Sequence, residues 1–354
     1  MPRLSTLLLA SAIMAAAVSA HGDHDHDHDH DLSECGIIED KDDYDQGIHV
    51  AAIFIVFGVS ILGSLLPVVS SYVSCLRNSQ KLLSLLNSFG FGVVISTAFI
   101  HMIPSATYML GNPCLELTYN GIAMVIVVAT ALAMQLLETE LVLLLTKNQQ
   151  DNSPTDLAKL TTDIETSVAP IVPATDGHYH SHHGHSHGDL AKNHTHKKIN
   201  VLIFEIGVAI HSVIIGLDLG VSTGDGFITL LVAICFHQFF EGVAVGSSAV
   251  TAFSNIRSSI FTAVAYSLTT PLGIAIGIAV NSSYSNTSVT SLWVRGVLDS
   301  VAGGILVYTG IVELLTYQYT INQEFHAKSG GIRSLNYLFL WLGAASMAII
   351  GKWA

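Results

Sequence analysis

The chain has 354 residues, of which 50% are hydrophobic and only 12% charged. A soluble globular protein carries roughly a quarter charged residues, so this composition argues against a soluble enzyme and for a helical bundle in a lipid bilayer. The formal net charge of −13 leaves no basic surface to meet phosphates, which excludes nucleic acid as a partner.

Residues 1–20 read as a signal peptide. Arg3 supplies the charge, Leu7 to Ala17 the apolar stretch, and Val18-Ser19-Ala20 a small-residue cleavage site. Residues 21–47 form a His/Asp-rich tail, in which His24, His26, His28 and His30 alternate with aspartates. Eight apolar segments follow, at 48–72, 84–110, 119–145, 199–220, 227–250, 259–281, 293–318 and 334–353, each near the ~20 residues that a spanning helix needs. The expected fold is therefore all-α and integral to the membrane. It has three transmembrane helices in 48–145, a His-rich loop at 146–198 and five more helices in 199–354.

Lysine and arginine set the orientation. With the mature N-terminus outside, the inner loops hold ten of these charges and the outer side three, Lys41, Arg295 and Lys352. Both termini are then extracellular, residues 146–198 are cytoplasmic, and a leader without a retention signal favours the plasma membrane. Cys35 and Cys114 fall on the oxidising side, where a disulfide between them is admissible; spacing alone leaves the pairing open. The sequons at Asn281 and Asn286 lie in an outer loop and are candidate glycosylation sites.

The fourth and fifth spans carry the chemistry. His237 and Glu241 are four residues apart, which stacks them on one helical face. Gln238 adds an amide carbonyl beside them. His211 and Ser212 occupy a similar depth in the fourth span. Ionisable groups so deep in lipid are costly and are retained where something binds or passes. Neutral imidazole and carboxylate together suit a divalent transition metal. The candidate metal set is His211, Ser212, His237, Gln238 and Glu241. Candidate pathway residues are His101 on the outer side, Asp218 near the mouth, and Glu205 and Glu313 on the way out. No residue is assigned a catalytic role, and no Gly-x-x-x-x-Gly-Lys phosphate loop is present to drive a pump.

Two motifs, His211-Ser212-x-x-x-Gly216-x-x-x-Gly220 and His237-Gln238-x-Phe240-Glu241-Gly242, resemble the ZIP (Zrt/Irt-like) family of divalent-metal transporters. Thr270-Pro271-x-Gly273 and Glu313-Leu314-Leu315 also look like that family, and the His-rich segments look most like its fungal and plant branch. The resemblance implies eight helices and a metal site between the fourth and fifth. It implies Zn²⁺, and in some members Fe²⁺ or Mn²⁺, as cargo moved into the cytosol. Zinc is then the transported substrate, with no separate cofactor. Some members place a glutamate before the glycine of the fourth span and hold two metals; Ile215 stands there, which implies a single ion. The same ligands are also compatible with an intramembrane zinc-dependent hydrolase or with a metal receptor that does not transport. Partners are the metal ion, the bilayer and, in one admissible assembly, a second copy of the chain.

Thirteen of the 18 histidines lie in the two polar tracts. The loop tract includes His180, His182, His183, His185 and His187. Such tracts lack a core-forming pattern, and they are expected to bind metal as accessories rather than to conduct it.

Overall fold

The computed structural model describes residues 35–37, 44–72, 80–151 and 187–351. The leader, His24, His26, His28 and His30 of the tail, and His180, His182, His183 and His185 of the loop lie outside the described residues. The side chains of His187 and Glu313 also lie outside them.

Among the described residues, eight helices are long and apolar enough to cross a membrane. They are α1 (Gln46–Tyr72), α2 (Gln80–Ser96, continued by π-helical Thr97–Met102 and by Ile103–Leu110) and α3 (Ile122–Asp151). Next come α4 (His187–Val221), α5 (Gly224–Ala252) and α6 (Ile256–Val280). The last two are α7 (Val289–Thr309, continued by π-helical Gly310–Ile321) and α8 (Gly330–Ile350). A short helix, Gln323–Ala327, joins α7 to α8, and no strand occurs among the described residues. Winding in α3 and α4 runs past the ends expected from hydropathy, into 146–151 and back to 187. Hydropathy marks only the part of a helix that suits lipid, whereas the backbone ladder continues through polar residues.

The exterior is as apolar as the interior, and the interior adds buried polar groups to its apolar packing. Phe54, Phe261 and Trp341 are exposed, while Ser60, Ser64, Ser267, Thr270, His211 and His237 are buried. Buried polar groups at this depth tie helices together and mark sites.

The helices pack as two groups. In the first, α4 lies along α6, and α1 lies along both α5 and α6. In the second, α2 lies along α8, and α7 lies along α3 and the last part of α2. Contacts of α7 with α4 and of α2 with α5 join the groups. Glycine permits the α4–α6 approach: a Cβ on Gly216 would lie 3.0 Å from Gly273 Cα and would collide with the Thr270 carbonyl. The same holds between α2 and α8, where a Cβ on Gly343 would collide with the Phe89 carbonyl.

A disulfide joins Cys35 to Cys114, fastening the segment before α1 to the α2–α3 connection. At that connection the Asn112 side chain accepts from the Cys114 backbone N–H at 2.9 Å. Asn281 and Asn286 lie between α6 and α7, and Thr287 of that connection accepts from the Gly36 N–H at 3.1 Å, next to Cys35.

Candidate metal centre

Pro104 shapes the site from α2. It has no N–H to donate, and its ring would press on the carbonyl four residues back, so regular α-winding cannot continue through it. Just before it the helix widens to the π form, and the Ile103 N–H donates to the Ala98 carbonyl, five residues back. His101 sits in this π segment. Single π turns are frequent where a helix re-aims a functional side chain.

His101 is thereby brought against two helices of the other group. Its ring centroid is 5.5 Å from that of His211 on α4 and 6.2 Å from that of His237 on α5. The His211 and His237 rings are also 6.2 Å apart. Three imidazoles bound to one tetrahedral zinc, with Zn–N near 2.0–2.1 Å, would have centroids roughly 5 Å apart. The triangle is thus about an ångström open. Among the described residues no three His, Cys, Asp or Glu side chains are already closed on a common point.

His211 is 1% exposed, and His237, Gln238 and Glu241 are wholly buried. Neither nitrogen of His211 or His237, nor either carboxylate oxygen of Glu241, has a partner in hydrogen-bonding geometry, although the Ala233 carbonyl one turn back lies near the His237 ring. Thr97 of α2 lies beside Glu241, but its hydroxyl donates to the Val93 carbonyl at 3.0 Å. Buried polar atoms are almost always paired, because an unpaired one costs about 1–3 kcal/mol. Six such atoms on three neighbouring residues form a donor set of the kind a metal ion satisfies.

Gln238 is held by a layer that sequence reading did not single out. Its amide nitrogen donates to Thr270 Oγ1 at 2.5 Å and to Ser212 Oγ at 3.4 Å, and its backbone carbonyl accepts from the Tyr266 hydroxyl at 2.7 Å. With the nitrogen engaged, Oε1 is left without a partner. Thr270 belongs to the Thr-Pro-x-Gly stretch noted in the sequence, but neither periodicity nor spacing shows that it touches Gln238. In this arrangement Ser212 faces Gln238.

A cavity of about 690 Å³ leads to the triangle from the disulfide-bearing face, and its walls include His101, His211, Asp218 and Asn286. A second cavity, of about 590 Å³, is lined by Asn87, Ser88, Phe91, Ser247 and Lys328. His237 and Glu241 line neither. Beyond Glu241 on α5 come Ala244 and Val245, and beyond Thr97 on α2 come Val94 and Phe91. All four belong to one buried apolar cluster, which separates Glu241 from the second cavity. Asp218 lines the first cavity and pairs with Arg295 at 2.6 Å. Arg295, counted on the outer side and within the seventh span at 293–318, lies in the first part of α7, where the Asp218 carboxylate offsets the cost of burying its charge. Glu205 is half-buried on α4 and lines neither cavity.

Residues 46–351 match the family described as ZIP zinc transporter. The chain is similar to zinc transporter 9 of Oryza sativa subsp. japonica, 33% identical over 342 residues, which cover 87% of this chain and 89% of that protein. It is similar to zinc-regulated transporter 1 of Saccharomyces cerevisiae, 32% identical over 333 residues, covering 87% and 88% respectively. It is also similar to zinc-regulated transporter 1 of Candida albicans, 30% identical over 315 residues, covering 89% of this chain and 62% of that longer protein. With the match running through all eight helices, the chain belongs to the ZIP zinc transporter family.

Proposed function

We propose that the chain carries Zn²⁺, with Fe²⁺ and Mn²⁺ as further substrates, into the cytosol through the site built by His211, His237, Gln238 and Glu241, with His101 as a full ligand. Members of the family are transporters rather than enzymes, and zinc is their transported substrate, not a cofactor. Family membership therefore removes the intramembrane hydrolase that the ligand set alone admitted.

One observation carries the reading. The unpartnered donors converge where the two helix groups meet, at the end of a cavity from one face and behind an apolar floor toward the other. His101 comes from one group and the remaining ligands from the other. A shift of the first group against the second would close the triangle, carry the ion past Phe91 and open the second cavity, as carriers with alternating access do. Asp218 stands on the entry route, and Glu205 and Glu313 are proposed for the exit. Ser212 acts in this account mainly by orienting Gln238.

The disulfide-bearing face is external in this reading, which puts both termini outside a plasma-membrane protein. The oxidised cysteine pair and the sequons Asn281 and Asn286 on one face support it. The His tracts serve as accessory metal binders, and assembly as a homodimer belongs to the same proposal. The test is uptake of ⁶⁵Zn by proteoliposomes holding the full chain, with tag accessibility fixing sidedness and cross-linking fixing the copy number. Zinc-dependent accumulation above protein-free vesicles is expected; accumulation equal to theirs overturns the reading in favour of a receptor.

A further inference from the structure

Toward the mouth from the histidine triangle lies a group of charges with more to do than line the way. Arg295 of α7 donates through Nη2 to Asp218 Oδ2 of α4 at 2.6 Å and through Nη1 to Asn286 Oδ1 at 3.1 Å. Asp299, one turn along α7 from Arg295, accepts on Oδ2 from Ser105 Oγ of α2 at 3.2 Å. Asp299 is only 3% exposed, and its Oδ1 has no hydrogen-bond partner. Asp218 Oδ1 and Arg295 Nε are likewise buried and unpartnered. Ser105, Asp218, Arg295 and Asp299 all line the cavity that ends at His101 and His211.

One guanidinium thus faces two carboxylates, and each carboxylate keeps an oxygen idle. With both carboxylates ionised that imbalance attracts cations in a low-dielectric pocket, and a divalent ion that binds there would displace any carboxyl proton and neutralise it. We propose that Asp218 and Asp299 form an outer station for an incoming divalent cation, with Arg295 as the tethered cation that the ion displaces. This deepens the transport reading and rests on it. The donors are all oxygen: two carboxylates and the Ser105 hydroxyl. Such a set accepts hard divalent ions with little discrimination, whereas imidazoles favour zinc and its neighbours. The station therefore concentrates ions and the triangle below selects among them. Ser105 follows His101 by four residues on α2, one turn away, so an ion leaving the station is already beside the first imidazole.

The position of Arg295 gives displacement a consequence. Its bond to Asp218 runs from the group of α2, α3, α7 and α8 to the group of α1, α4, α5 and α6. While the station is empty this ion pair ties the groups together at the mouth; an ion on Asp218 releases the tie. A purely structural ion pair makes the opposite prediction for cation affinity when Arg295 is removed: no gain.

The test is Mn²⁺ binding to the full-length protein in nanodiscs, read from loss of the free-Mn²⁺ electron paramagnetic resonance signal. Mn²⁺ prefers carboxylate oxygen, and because every variant keeps both tracts, binding by the His/Asp-rich tail is common to all and cancels in the comparison. Arg295→Gln should tighten one Mn²⁺ site about tenfold, and Asp299→Asn should weaken it about tenfold. The double variant should fall between the two single variants, because removing Arg295 still frees Asp218. Arg295→Lys, which keeps the charge, should stay within about twofold of wild type. Unchanged or weakened Mn²⁺ affinity in a monodisperse Arg295→Gln protein overturns the station. If that variant does not survive purification, Asp299→Asn decides alone, and unchanged affinity overturns the station. The titration contains no transport step. Wild-type proteoliposomes that take up no ⁶⁵Zn sink the transport reading and leave the cation site standing. Normal uptake with Mn²⁺ affinity indifferent to Asp299 sinks the station alone.

Discussion

His101 and His211, from helices of different groups, face each other at 5.5 Å with their rings nearly perpendicular, at 83°. This places His101 beside the proposed ligands, and in the proposed account it acts as one of them. His101→Ala should cut zinc uptake per inserted molecule by about 10- to 100-fold, and raise the half-saturating zinc concentration as well. A variant with wild-type uptake at every zinc concentration would return His101 to a helix-packing role.

Thr270 gives a sharper test of how the site is held. Its hydroxyl fixes the amide of Gln238, so Thr270→Val frees the amide to turn while preserving volume. The expected effect is a loss of about 10-fold or more in apparent zinc affinity, with Thr270→Ser restoring most of it. Equal behaviour of the valine and serine variants would show that the hydroxyl does not matter.

The pH dependence follows from the ligand type. Imidazole binds metal only when neutral, so protons compete with zinc for these ligands in acid. Initial uptake should therefore hold near neutral pH and decline only in acid strong enough to protonate the buried imidazoles. A steep rise in acid would instead indicate proton-coupled transport.

Helix contact at the glycines should be unforgiving. Gly216→Leu places a side chain against Thr270 and Gly273, where no space exists. Overpacking of this kind costs about 1–3 kcal/mol or more, and should appear as loss of protein from the membrane rather than as altered zinc affinity. Surface abundance measured beside uptake separates the two.

Much of this was legible in the sequence for a physical reason. Lipid demands about twenty apolar residues per crossing, so the eight spans stand out from hydropathy. The four-residue step from His237 to Glu241 is a one-helix relation, readable without tertiary structure. What escaped depends on contacts between helices. The place of His101 in the triangle follows from the π turn ahead of Pro104, which re-aims that stretch of α2. The grip of Thr270 and Tyr266 on Gln238 joins α6 to α5, residues 28 to 32 positions apart. The sequence places Arg295 on the outer side of the seventh span, but hydropathy shows only the cost of its charge, not the Asp218 partner on α4 that offsets it.

The most direct measurement is initial ⁶⁵Zn uptake into proteoliposomes, normalised to inserted protein, for wild type, His211→Ala, His237→Ala and Glu241→Ala. Each variant removes a donor from helices that otherwise stay packed, and each should lower uptake about a hundredfold or more while inserting normally. Uptake at the wild-type rate by any one of them would contradict a shared metal site at the junction of the two helix groups.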